Sequence, residues 1–293
     1  MRIHHLNCVS ACPLGGALMD GFSHGSLRGK LVSHCLLVET PNCLVLVDTG
    51  YGLRDVENPR SRLNPLFLAL MRPELRAEMT AIRQIERLGF GARDVQHIAL
   101  SHLDFDHAGG LDDFPNATVH LFGDEAGAAR AQRTLLDRMR YRPQQWHTQS
   151  MWNLLEPGAG ETWFGFSGVR ELPGVGPDLL MVPLIGHTLG HAGIAVRREQ
   201  DWLFYAADAY FYHAEMDPDR PYCTPGLRLY QAMMEKDRSL RLLNQRRLRE
   251  LHAAQPAVTI FCAHDVVEFE RLSGRSIRSP VAAPDRVPAQ QPA

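Results

Sequence analysis

The chain has 293 residues, 45% of them hydrophobic and 22% charged, which excludes a wholly disordered protein and supplies enough apolar side chains for a sizeable core. Lysine and arginine number 31 against 33 acidic residues, so no charge excess draws the chain to nucleic acid or to an anionic membrane. Six scattered cysteines with no CxxC pair, in a chain too long to need disulfide staples, point to reduced thiols and a cytoplasmic setting.

Residues 1–13 carry His4, His5 and Asn7 where an export signal would need an unbroken apolar stretch. The best apolar run, 34–47, is interrupted by Glu39, Pro41 and Asn42, far short of the ~20 apolar residues that cross a bilayer. Segments 31–39 and 43–47 instead read as a β-hairpin joined by Thr40-Pro41-Asn42 and ending at Asp48-Thr49-Gly50. Over 73–88, Leu75, Met79, Ile82, Ile85 and Leu88 recur at helical spacing and Gly89 follows as a C-terminal glycine, which predicts one helix. A buried strand is expected at 95–100, a loop at 101–110, a strand at 118–121 and a helix at 124–133. The stretch 138–160 lacks clean periodicity and reads as an insertion shaping a pocket. Strands are expected at 179–184, 193–197, 202–206 and 258–261, with a long helical pattern over 227–251. Strands and helices thus alternate through both halves. One domain over 1–278 is expected, followed by a proline-rich tail, 279–293, with the composition of a disordered end.

The chemistry concentrates in Ser101-His102-Leu103-Asp104-Phe105-Asp106-His107-Ala108-Gly109-Gly110, where four side chains able to bind metal fall within six positions after a strand. His102, Asp104 and Asp106 alternate along an extended segment and can project to one side. Helix capping near His107 would explain one aspartate but not four such residues. Three further motifs, Gly186-His187-Thr188-Leu189-Gly190-His191, Tyr205-Ala206-Ala207-Asp208-Ala209-Tyr210 and Phe261-Cys262-Ala263-His264-Asp265, each place a His or Asp at the end of an expected strand. Groups at strand ends in an α/β fold converge on one rim of the sheet. His191 is left outside the ligand set because its flanking glycines argue for a loop, and the other histidines lack comparable surroundings.

This pattern resembles the metallo-β-lactamase superfamily, whose hallmark is HxHxDH after a strand followed by His, Asp and His ligands in that order. The contexts around His187 and His102 look closest to the lactonase branch, including quorum-quenching acyl-homoserine lactonases. The resemblance implies an αββα sandwich, two central mixed sheets flanked by helices, with a dinuclear metal site at the sheet edge. It implies that His102, Asp104 and His187 bind one divalent ion and Asp106, His107 and His264 the other, with Asp208 as the bridge. Two cations held ~3.5 to 4 Å apart activate a water and polarise a scissile carbonyl. Asp106 is then placed to relay a proton, Tyr210 or Tyr212 to donate to the substrate carbonyl, and Asp48 to orient a ligand histidine. Turn formation before Gly50 is an alternative for Asp48, and plain aromatic packing an alternative for Tyr205, Tyr210, Phe211 and Tyr212.

Asp104 departs from the family's second histidine. Its harder oxygen donor makes iron or manganese credible beside zinc. A diiron-type oxygen or nitric oxide reductase carries a carboxylate there too, and a glyoxalase-type thioesterase uses nearly the same metal chemistry, so both stand as alternatives to a hydrolase that opens lactones. A degraded, non-catalytic site is disfavoured by the six intact ligands. The residues of 18–22, 65–71 and 138–152 are expected to wall the site, and their Leu, Phe, Met and Trp content suits a small-molecule substrate with an apolar acyl or aryl group. The same residues would serve equally to bury a homodimer interface.

Overall fold

The computed structural model describes residues 1–157 and 162–278. Side-chain alternation at a period of two sets its layering. β1 (Arg2–Asn7), β2 (His34–Glu39), β3 (Leu44–Val47), β4 (Val95–Ala99), β5 (Thr118–Phe122) and β6 (Trp152–Leu155) form one six-stranded sheet in sequence order. Its first three strands pair antiparallel, and β3 through β6 run parallel. A short hairpin of β7 (Thr162–Trp163) and β8 (Phe166–Ser167) leads into β9 (Arg170–Leu172), β10 (Gly176–Pro183), β11 (Ala192–Arg197), β12 (Trp202–Tyr205) and β13 (Val258–Phe261). These last five make a second sheet ordered β13-β12-β11-β10-β9, antiparallel except for the β12–β13 pair.

The inner faces of the two sheets share one core. Val45 and Val47 of β3 pack with Met181 of β10, Ile194 of β11 and Leu203 of β12. Leu44 and Leu46, one position out of phase, face outward onto Ile82 and Ile85 of the helix Ala81–Arg87. On the far side, Leu180, Phe204 and Ile260 meet Leu248 and Leu251 of the helix Arg238–Ala254. Each such side chain, once buried, stabilises the fold by about 1.5–3 kcal/mol relative to exposure. This is the αββα sandwich that the sequence implied.

Two expected helices divide. The 73–88 pattern becomes a 3-10 turn at Ala77–Met79 and the helix Ala81–Arg87. Thr80 separates them by donating its hydroxyl to the Ala77 carbonyl (2.7 Å), and Leu75 and Met79 join a cluster around Tyr51 and Phe105 instead of the one holding Ile82. The 227–251 pattern becomes Pro225–Met234 and Arg238–Ala254. Between them the Lys236 and Asp237 amides donate to the Gly186 carbonyl (2.8 and 2.9 Å), while Asp237 caps the second helix by accepting from the Leu240 amide (2.9 Å). Strand β1 was not foreseen, because His4 and His5 obscure its alternation. The 138–160 stretch is more than a wall, since β6 lies in it and completes the first sheet. The tail 279–293 and residues 158–161 lie outside the described residues. No helix among the described residues is long and apolar enough to cross a membrane.

Candidate metal centre

The ligand loop leaves β4 and enters a short helix, Phe105–Ala108, with Asp104 extended before it (φ −65°, ψ 147°) and making no side-chain cap. Capping therefore does not explain Asp104, whose carboxylate turns inward. Gly109 follows in ordinary helical geometry (φ −60°), so space rather than backbone freedom demands it: a Cβ there would stand 2.2 Å from Asp55 Oδ2 and 2.8 Å from the Gly50 carbonyl. Before His187, Gly186 has φ +147° and lies so close to Arg241 that a Cβ would come within 2.4 Å of its amide nitrogen. Glu125, fully buried, ties the two loops together by accepting from the Leu103 amide (3.0 Å) and the Gly190 amide (3.1 Å).

These constraints bring all seven expected ligand residues into one cluster. His102, Asp104 and His187 form one trio and Asp106, His107 and His264 another, each with donor atoms within 4.8 Å of one another; His102, His107 and Asp208 form a third that overlaps both. Asp208 stands between them. Its Oδ1 lies 3.2 Å from His107 Nε2 and 3.1 Å from His264 Nε2, and its Oδ2 lies 3.4 Å from His187 Nε2 and 3.9 Å from His102 Nε2. Asp106 Oδ2 is 3.8 Å from His264 Nε2, and at 17% its side chain is the most exposed of the set.

Three of the histidines are aimed by what holds their Nδ1. His107 Nδ1 donates to Asp48 Oδ2 (2.7 Å), His264 Nδ1 to the Val32 carbonyl (2.8 Å) and His102 Nδ1 to Ser101 Oγ (2.9 Å). Each then presents Nε2 to the centre. Asp48 is the hub, in a left-handed conformation (φ +52°) that a non-glycine residue adopts only when its surroundings enforce it. Besides His107 it accepts from the Ser101 amide, the Ser101 hydroxyl and the Tyr205 hydroxyl, all at 2.7 Å. His191 instead bonds to backbone on both sides of its ring. Its Nε2 accepts from the Asp208 amide (3.0 Å) and its Nδ1 donates to the Leu184 carbonyl (3.0 Å), which fixes the backbone under the central carboxylate.

Four buried polar atoms of these residues, His102 Nε2, His107 Nε2, Asp104 Oδ1 and Asp208 Oδ1, have no hydrogen-bond partner among the described residues. Buried groups are rarely left so, and lone pairs converging from imidazoles and carboxylates are what divalent cations satisfy. The residues fit a metal centre.

The metallo-beta-lactamase superfamily model matches residues 28–264, a span that contains every one of these ligands. The chain belongs to the metallo-beta-lactamase superfamily. It is 39% identical over 267 residues to a probable metallo-hydrolase of Mycobacterium tuberculosis, covering 90% of this chain and 80% of that one. It is 27% identical to an N-acyl homoserine lactonase of Bacillus thuringiensis, covering 87% and 91%. A solved N-acyl homoserine lactone hydrolase, with N-hexanoyl-L-homoserine bound at its catalytic metal centre, superposes with a TM-score of 0.68 at 22% identity, over 94% of this chain and 97% of that one.

Within this superfamily member, the two tyrosines expected near the substrate differ in place, Tyr212 packing in the cluster of Phe211 and Tyr230 and Tyr210 lying away from it. Tyr210 is fully buried and donates its hydroxyl to Glu268 (2.8 Å), on the outer face of the second sheet. Tyr212 packs against Tyr222, its ring beside Gly21. The aromatic over the centre is Phe211, stacked on His264 (centroids 5.1 Å, 18° between planes) and touching His187. Against it rests Tyr230 (5.7 Å), which sequence reading missed because it sits inside an ordinary amphipathic pattern. Burial and the charges of Asp106, Asp104 and Asp208 push the Tyr230 phenol well above its usual range, so it keeps its proton at neutral pH.

Arg140 was missed as well. It ends the helix Leu135–Arg140 and is fully buried, with Nη2 2.7 Å from Asp104 Oδ2 and 2.8 Å from His187 Nε2. Burial alone would raise the Asp104 carboxyl, but Arg140 and His102 outweigh it and hold it well below the usual carboxylate range. Burial and Arg140 together lower His187 to about 4, leaving its imidazole neutral at physiological pH.

Proposed function

We propose that this metal-dependent hydrolase cleaves a carboxylic ester bond, foremost that of a lactone with an apolar acyl chain, at a centre held by His102, Asp104, Asp106, His107, His187, Asp208 and His264. The observation that carries the reading is Asp208, whose carboxylate lies within 3.9 Å of Nε2 of His102, His107, His187 and His264, histidines drawn from both trios, which suits it to serve two ions. Divalent cations held there, with zinc the first expectation, supply Lewis acidity and a water of lowered pKa.

The chain's own residues do the rest. Asp106 lies on the open side of the cluster, and burial with the charges of Asp208 and Asp104 raises its carboxyl, which suits it to take up a proton and return it to the leaving oxygen. Tyr230, protonated and with no hydrogen-bond partner among the described residues, is placed to donate to a substrate oxygen. The helix Pro65–Met71 reaches the ligand loop through Phe67, whose ring packs on Phe105 at 4.3 Å. It and the helix carrying Tyr230 leave Leu66, Leu70, Leu229 and Met233 exposed, apolar surface suited to an acyl chain. The lactonase relatives and the acyl-homoserine bound in a structural neighbour support the same substrate class.

The test is a turnover panel of an acyl-homoserine lactone, an aryl ester and a thioester on metal-supplemented protein, before and after chelation. Lactone hydrolysis that disappears with chelator and returns with zinc is the expected result. Hydrolysis indifferent to chelation would sink the reading, and turnover of the thioester alone would move it to glyoxalase-type chemistry. Tyr230→Phe is expected to lower kcat/KM on the preferred substrate by about 10²-fold, the scale of one lost donor at a developing oxyanion, with metal content unchanged. Equal kcat/KM in variant and wild type would remove Tyr230 from the reaction.

A further inference from the structure

The two ligand trios are not electrostatically alike. His102, Asp104 and His187 share their space with a cation, because the Arg140 guanidinium lies at hydrogen-bonding distance from both the Asp104 carboxylate and the His187 imidazole. Formally, the charge of Arg140 cancels that of Asp104. Among the described residues no such cation touches Asp106, His107 and His264, and the shared carboxylate of Asp208 lies nearer His107 and His264 (3.2 and 3.1 Å) than His187 and His102 (3.4 and 3.9 Å). Nor is Arg140 free to swing away. Its Nη1 donates to the carbonyls of His187 (3.2 Å) and Met234 (3.0 Å), and the helix behind it is capped by Thr134 and tied to Lys236 through Asp137 (2.6 Å).

We propose that Arg140 divides the centre into unequal halves, so that a divalent cation binds first and tightly at Asp106, His107, His264 and Asp208, and a second binds weakly at His102, Asp104 and His187. The proposal rests on the metal-centre reading above and deepens it. A lone pair on His187 Nε2 cannot serve Arg140 and a metal at once, so filling the first trio means displacing a charge-assisted contact against the repulsion of a buried cation. Asp104 and Arg140 then form a matched pair. The carboxylate that replaces the superfamily's second histidine is the group to which the arginine is bound, so it is not simply an added hard ligand.

Metal-stripped full-length protein, titrated with zinc by calorimetry and counted by elemental analysis after gel filtration, tests this without any assay of turnover. Two steps are expected in the wild type, separated by on the order of 10- to 100-fold in affinity, the scale on which groups bound to metal ligands tune a site. His102→Ala should remove the weak step and His264→Ala the tight one. Arg140→Gln should strengthen the weak step until the gap closes by about tenfold or more, while Arg140→Lys, which keeps the charge, should preserve the gap. Two equal steps in the wild type, or an unchanged gap in a folded Arg140→Gln variant, overturns the proposal and leaves the metal centre standing. If Arg140→Gln does not fold, the wild type together with the two histidine variants still decides it. Absence of any tight step overturns the metal centre itself.

Discussion

Alanine at Asp208 is expected to remove metal binding and hydrolysis together. This carboxylate lies within 3.9 Å of all four ligand histidines, so no other single side chain touches both trios so fully. The expected fall in kcat/KM is on the order of 10⁴-fold, the scale seen when one member of an interdependent catalytic unit is lost. The fold should survive, because the Asp208 side chain bonds only within the ligand cluster while its amide remains held by His191. Elemental analysis with circular dichroism checks both halves of the statement. A folded Asp208→Ala protein that retains two ions per chain, or full turnover, would remove Asp208 from the centre.

The second large effect is on stability. Asp48→Ala strips acceptors from the Ser101 amide, the Ser101 hydroxyl, the His107 imidazole and the Tyr205 hydroxyl, all buried. Removing one partner from a buried charged network costs about 3–5 kcal/mol, measurable as a lowered midpoint in denaturant. Metal affinity should fall as well, by on the order of 10- to 100-fold, because His107 loses the bond that aims its Nε2. Burial raises the Asp48 carboxyl, but the charge and hydrogen bonds of His107, with His102 and Ser101, outweigh it and leave the group below its ordinary 3.8. Its contribution is therefore present in full above that value and is lost as pH falls through the lower folded pKa. Wild-type stability should drop through this acid window while Asp48→Ala shows a flatter profile. Identical acid limbs would place the stabilisation elsewhere.

Much of the centre was legible in the chain because its information is local. Four ligating residues within six positions after a strand cannot be accounted for by capping or chance polarity, and His187, Asp208 and His264 each follow strand-forming residues that the sheet requires in any case. The apolar run Leu44-Val45-Leu46-Val47 likewise reads as a strand, and in the fold its alternate side chains enter two different cores. Asp48 could be suspected from its place at the end of that strand.

What the sequence could not show depends on which residue arrives opposite which. Arg140 lies in a segment without periodicity and reaches Asp104 only because its helix is fixed by Thr134 and by Asp137 on Lys236. Tyr230 and Tyr210 look equivalent in composition, yet packing turns one toward the carboxylates and buries the other against Glu268. The break at Glu235–Asp237 exists because two amides find the Gly186 carbonyl across the fold. The sequence by itself determined the strand ends and the residue types able to bind metal, since these follow from short-range periodicity and from chemistry carried within single segments, while the layers were implied by the family resemblance those segments carry. Only the tertiary structure decided the second ring of contacts: the cation beside Asp104 and His187, the tyrosine packed on Phe211, and which histidine Asp48 aims. Those pairings are set by long-range packing, and distance along the chain carries no trace of them.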